Sequence, residues 1–269
     1  LALPRVHEGD SEPFTVVEYR NRHAQYKGEA ELQAAHAAFP WAVVLDDHEI
    51  DNNWADEIPQ DPDLQPRDVF LARRAAAFQA YYEHMPLRRS SIPAGIDMQL
   101  YRRLTFGDLL NVHVLDTRQY RSDQDQALRL DPNRTILGDD QEQWLMANLA
   151  GGTARWNALA QQVFFSQRDF TAGPNQSFSN DAWDNYVPER NGLRDHVAAV
   201  GASNPVVLTG DVHATYVCDV KANFDDPTSA TVATELVGTS ITNGGDREGS
   251  GGRGPRGSPP EPSWGPICA

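Results

Sequence analysis

Cysteine is nearly absent from this sequence: Cys218 and Cys268 are the only two in 269 residues. Two thiols cannot form a disulfide framework, and they leave the redox compartment open. No run approaches the roughly 18 apolar residues that a spanning helix needs, so no membrane span is expected. The N-terminus shows no basic stretch followed by an apolar one, so no signal peptide is visible. A G-x-S-x-G elbow is missing, as is a phosphate-binding glycine loop, which removes the usual sequence support for a nucleophilic serine or a P-loop nucleotide site. Positive charge is short too. Lys and Arg total 23 against 38 Asp and Glu, a formal net charge of -15. Such a surface repels phosphate backbones and argues against nucleic acid as a standing partner. An anionic small substrate fits this charge only if cations sit among the carboxylates.

What is present supports a folded α/β chain. Hydrophobic residues make up 40% and aromatics 9%, enough for a buried core in one large domain or two small ones. Residues 1–13 read as an irregular stub and 14–245 as the folded domain. Residues 246–269 read as a disordered tail, because Gly, Pro, Arg and Ser dominate from Gly244 to Pro266. Within the domain the spacing predicts a helix over 17–38 stopped by Pro40, then a buried strand at Trp41–Leu45. A second helix is expected at 67–84, and a hairpin around Gly107-Asp108 joins strands at 101–106 and 109–115. Further helices are expected at 138–149 and 184–200, with strands around Val163–Phe165, 204–210 and 231–237.

Two of these strands run directly into acidic clusters containing histidine. Leu45 leads into Asp46-Asp47-His48-Glu49, and Leu208-Thr209-Gly210 leads into Asp211-Val212-His213. In α/β folds, sites gather at the carboxyl ends of strands, where the backbone is fixed and side chains meet solvent. Asp211 and His213, two apart on an extended segment, would point to one side and grip one ion or two adjacent ions. The bland readings are a surface histidine at His48 satisfied by neighbouring carboxylates and a helix cap at Asp47. The same strand-end pattern occurring twice favours a site. Asp116 and Arg118 also follow a strand; Arg118 or Arg121 would clamp a phosphate oxygen or, more simply, Arg118 would pair with Asp116. His113 reads as a buried neutral imidazole, and His36 and His84 as packing or surface histidines. The Trp183–Tyr186 run reads as packing.

Several motifs in order resemble one family: Trp41–Trp54 (WAVVLDDHEIDNNW), Leu115–Arg121 (LDTRQYR), Gln141–Leu145 (QEQWL), Trp183–Arg190 (WDNYVPER), Thr209–Thr215 (TGDVHAT) and Glu235–Gly245 (ELVGTSITNGG). Together they are similar to the alkaline phosphatase D family of metallophosphoesterases. That resemblance implies a sandwich of two mixed β-sheets flanked by helices. It also implies hydrolysis of phosphate esters, mono- and in some members diesters, in an extracellular or periplasmic setting. The implied cofactors are Fe(III) and Ca²⁺. By motif, Asp47 would ligate one metal where related enzymes place Asn, Asp211 would serve the calcium-type site and His213 the iron. His48 would contact the phosphate or protonate the leaving group, with Asp46 and Asn53 as helpers near the substrate. The chain is expected to act as a monomer.

The sequence also departs from that pattern. The family's upstream Gly-Asp-x-Ile-Tyr segment and cysteine ligand have no counterpart, since Gly9-Asp10 is followed by Ser11-Glu12. The closing strands after the Thr-Ser-Ile-Thr stretch are replaced by the Gly/Pro tail. The expectation is therefore a partial catalytic domain, clipped at both ends, from a phosphatase whose isolated piece has low activity or none. The rival readings are a module that binds Ca²⁺ or a partner without catalysis, and a metal-assisted hydrolase of another ester.

Overall fold

The computed structural model describes residues 7, 9, 12–171 and 173–240. The expected tail and Cys268 lie outside them, as does most of the expected N-terminal stub. Near the N-terminus the helix predicted over 17–38 forms as two. Helix α1 (Val16–Lys27) opens with a capping box, in which the Glu18 amide donates to Thr15 Oγ1 and the Thr15 amide to Glu18 Oε2 at 2.8 Å. It ends at Gly28, whose amide closes back on Ala24, and α2 (Ala30–Ala38) starts after a short break. Helix α3 (Arg67–His84) buries Phe70, Ala77, Phe78 and Tyr81. Arg20 of α1 grips Glu83 of α3 through two bonds of 2.6 Å.

The remainder builds one mixed sheet. Its strands are β1 (Arg102–Phe106), β2 (Leu110–Val114), β3 (Trp156–Ala160), β4 (Pro205–Thr209), β5 (Tyr216–Lys221) and β6 (Thr231–Val237), in the order β1-β2-β3-β4-β6-β5. The middle pairs β2–β3, β3–β4 and β4–β6 are parallel, while β1 and β5 close the edges antiparallel. Helices α4 (Asp139–Ala150) and α5 (Val187–Ala199) pack with the sheet around one core that includes Leu145, Leu159, Trp183, Leu193 and Val207. A second core joins α1 and α3 to Leu45, Ile50 and Trp54. The α/β class is as expected from the sequence; of the two sheets of the expected sandwich, the described residues form this one.

Three segments differ from the sequence reading. The apolar run 41–45 joins no sheet. Its carbonyls are taken by side chains instead: Tyr81 Oη donates to the Val44 carbonyl (2.9 Å), Arg102 Nη2 to Val43 (2.8 Å) and Gln162 Nε2 to Leu45 (2.8 Å). Burial made the run apolar, and burial alone does not specify a strand. The strand expected at Val163–Phe165 lies earlier, at β3. Those residues are core in a loop whose amides bond to side chains, Phe165 and Ser166 donating to the buried Glu235 at 2.8 Å each. Strand β5 had no counterpart in the sequence reading.

His113 is buried on β2 and meets Trp144 edge-on with ring centroids 6.2 Å apart. Burial pushes its pKa down to about 4 from an ordinary 6.5. A depressed histidine means the unfolded chain binds more protons between those two values, so stability present above pH 6.5 is lost as pH falls toward 4. The full effect is on the order of 3 kcal/mol. Urea unfolding of wild type and His113→Leu at pH 7 and pH 4.5 should show a shallower acid loss in the variant. Equal pH slopes would remove His113 as the cause.

Candidate metal and active site

Asp47 is the most firmly held acidic side chain of the first cluster. It is 4% exposed, and its two oxygens accept the His48 amide (2.8 Å) and the Asn53 amide (3.0 Å). Asn53 takes a positive φ of 50° to deliver that amide, a conformation Asn tolerates better than most residues. The amides of Ile50 and Asp51 both return to the Asp47 carbonyl, so the motif is a tight turn hung from the Leu45 end. The Asp46 amide donates to Glu49 Oε2 at 2.8 Å. Burial raises the Glu49 carboxyl to about 7.

The second cluster is a strained turn after β4. Asp211 and His213 both adopt positive φ, 66° and 56°, and neither is glycine. Each such residue costs roughly 1–2 kcal/mol, and such conformations persist where surrounding structure enforces them, often at functional sites. Here the Gly210 amide is tied to the Gln162 carbonyl (3.0 Å), and Thr239 Oγ1 donates to the His213 carbonyl (3.0 Å).

The two turns meet. Asp46, Asp47 and Asp211 each offer a carboxylate oxygen, and the three atoms lie within 4.8 Å of one another. Burial, followed by the like charges of Asp46, Asp181 and Asp47, raises Asp211 to about 7. Burial also raises Asp46, against the pull of Arg118. Three hard oxygen donors at this spacing suit a cation of the Ca²⁺ or Mg²⁺ kind. The ring nitrogens of His213 stand outside this group of atoms. His213 instead borders, with His48, Glu49, Asn52 and Trp41, a cavity of about 950 Å³. His48 is open to solvent at 75% side-chain exposure, with Nε2 3.9 Å from Asp47 Oδ2.

Arg118 lies beneath the carboxylates, fully buried. Its Nε donates to Asp46 Oδ1 (2.7 Å), while Nη1 and Nη2 donate to the two oxygens of Asp181 (2.6 and 2.7 Å). The pairing expected with Asp116 does not form. Asp116 accepts the backbone amides of Arg118 and Gln119 instead, shaping the turn after β2. Arg121 also bonds Asp181, at 2.7 Å. Burial would raise Asp181, but Arg121 and Arg118 outweigh it and hold the carboxyl at about 2. The sequence reading passed over Asp181 and Gln162. Gln162 donates to the Leu45 and Leu115 carbonyls and accepts the amide and hydroxyl of Thr117, tying the first acidic turn to β2. Neither residue carries a local signal: one is an Asp in a polar loop, the other a Gln at a strand end. His36 stacks on Trp41 and His84 on His23; His23, His36 and Trp41 line the same cavity as His48 and His213, and Trp183 to Tyr186 are buried as packing.

Fold and site together describe an α/β protein with a cation-competent carboxylate cluster at the ends of a largely parallel sheet. The family model for PhoD-like phosphatases matches residues 2–259, and the chain belongs to that family. It is 50% identical over 246 residues to alkaline phosphatase D of Bacillus subtilis (strain 168), an alignment covering 88% of this chain and 42% of that protein. A solved structure described as the structure of PhoD superposes with a TM-score of 0.83 at 50% identity, over 86% of this chain and 46% of the other. The chain thus spans less than half the length of each relative.

Gln162→Ala would leave the Leu45 and Leu115 carbonyls without their buried donor and should cost about 2–4 kcal/mol in urea unfolding. His48→Ala, at an exposed position, should stay within about 0.5 kcal/mol of wild type. A Gln162→Ala protein as stable as wild type would show that the acidic turn does not depend on this link.

Proposed function

We propose that this chain is the carboxylate-bearing part of a metal-dependent phosphatase that hydrolyses phosphate esters. The observation that carries the reading is the convergence of Asp46, Asp47 and Asp211 within 4.8 Å, beside an exposed histidine. Asp47 and Asp211 hold the cation in this reading, with Asp46 as a third oxygen donor and His213, on the same strained turn, as the nitrogen donor for a second ion. The oxygen set favours Ca²⁺; Fe(III) is the companion drawn from the resemblance. Bound cations would supply charge neutralisation of the phosphate and lower the pKa of an attacking water.

The chain's own groups supply the rest. His48, exposed at the mouth of the cavity, protonates the departing alcohol oxygen. Asn53 fixes Asp47 through its amide and offers its side chain to the phosphate. Arg118 is committed to Asp46 and Asp181, so its part is to hold the carboxylates from below, and any contact with the phosphate is secondary. The natural setting we propose is extracellular or periplasmic; among the described residues no helix is long and apolar enough to cross a membrane.

Because the chain spans 42% of its relative's length, a second reading stands beside the first: a cation-binding module that turns over substrate only as part of a longer protein. Phosphate release from p-nitrophenyl phosphate, with added Ca²⁺ and Fe(III), separates the two. The expected result is turnover that needs the added ions and falls by about 100-fold or more in His48→Ala and Asp211→Asn. Cleavage of p-nitrophenyl acetate should be unaffected by either change. Calcium-dependent thermal stabilisation with no turnover would assign the chain the binding role.

A further inference from the structure

We propose that Asp181 is a positioning residue for the cation site: by engaging both terminal nitrogens of Arg118, it keeps that guanidinium from closing over the carboxylates. The inference rests on the reading of Asp46, Asp47 and Asp211 as cation ligands and adds to it.

Asp181 sits in the loop before α5 and is distant in sequence from everything it holds. Its Oδ1 accepts Arg118 Nη1 (2.6 Å), Arg121 Nη1 (2.7 Å) and Gln124 Nε2 (2.5 Å), and its Oδ2 accepts Arg118 Nη2 (2.7 Å). Arg118 therefore meets the site with one edge, through Nε on Asp46 Oδ1 at 2.7 Å. Its Nη2 lies 2.7 Å from the same oxygen and only 3.9 Å from Asp47 Oδ1. A small rotation of the guanidinium would turn that last approach into a full ion pair. Asp181 is the group that opposes this rotation, because a planar fork held bidentately has little freedom to turn.

Charge makes the same point. Arg118 and Arg121 bring two positive charges to this buried set, and Asp181, Asp46, Asp47 and Asp211 bring four negative ones. Replacing Asp181 by Asn removes one negative charge and leaves a single acceptor oxygen, so the two-point hold on Arg118 beside Asp47 is lost. In a setting of low polarity both effects act against a bound cation.

The test measures Mn²⁺ alone, titrated calorimetrically into the full 269-residue chain. Asp181→Asn should weaken Mn²⁺ binding by at least about tenfold. On an Arg118→Gln background the same change should cost several-fold less, because only the lost carboxylate charge then acts and the guanidinium 3.9 Å from Asp47 is gone. Circular dichroism checks folding, and Asp181→Ser repeats the measurement if the Asn variant does not fold. Unchanged affinity in the neutral variant, or an equal loss with and without Arg118, would overturn the assignment. Asp211→Asn separates the two levels. If it abolishes binding while Asp181→Asn does not, only the role of Asp181 falls. If wild type and Asp211→Asn bind alike, the cation site falls and this inference with it.

Discussion

One buried guanidinium allows the acidic site to exist. Three carboxylate oxygens within 4.8 Å repel one another, and at the effective polarity of a protein interior each close pair costs several kcal/mol if both are charged. Arg118 opposes that repulsion from beneath, and Asp181 in turn offsets the cost of burying Arg118. Arginine suits this position because its fork presents separate edges to two carboxylates, where a lysine ammonium would collapse onto one. A guanidinium wholly removed from solvent is tolerable only with its donors occupied, and here Nε, Nη1 and Nη2 all are.

The site is suspended from the fold by side chains more than by strands. The segment leading to Asp46 is held by Tyr81 from α3, Arg102 from β1 and Gln162 from the loop after β3. Three elements far apart in sequence must be in place before the first acidic turn reaches the second. The Asp211 turn depends on its neighbours in the same manner: Gln162 accepts the Gly210 amide, and Glu235 accepts Thr209 Oγ1 at 2.7 Å. Positive φ at Asp211 and His213 is sustained by this network. Gln162, bonded to both turns, links them mechanically.

Both acidic clusters were legible in the sequence, because short apolar runs ending in Asp and His report a fixed backbone meeting solvent. Their convergence is a matter of topology that periodicity does not encode. The run 41–45 shows the limit clearly: its composition matches that of β4, yet β4 pairs on both sides and the run pairs on neither. What separates them is the presence of Tyr81, Arg102 and Gln162 as donors, each remote in sequence. The break at Gly28 was visible as a glycine but not as a helix end, since the apolar spacing continues past it into α2. Asp181 and Gln162 stayed hidden for a related reason. A buried polar residue is defined by the partners that satisfy it, and those partners belong to other segments.

The composition of the central strands carries a further piece of information. Val217, Leu236 and Leu208 stand side by side in register on β5, β6 and β4, and all three are well exposed, at 59%, 42% and 39%. Their neighbours Val207, Val237 and Cys218 are buried on the opposite face, where α5 and its core lie. A parallel strand covered on both faces reads as a continuous aliphatic run, whereas one covered on a single face alternates with polar residues. Pro205-Val206-Val207-Leu208 is of the first kind. That is why this strand reads as fully buried in the sequence while the described residues cover only one of its faces.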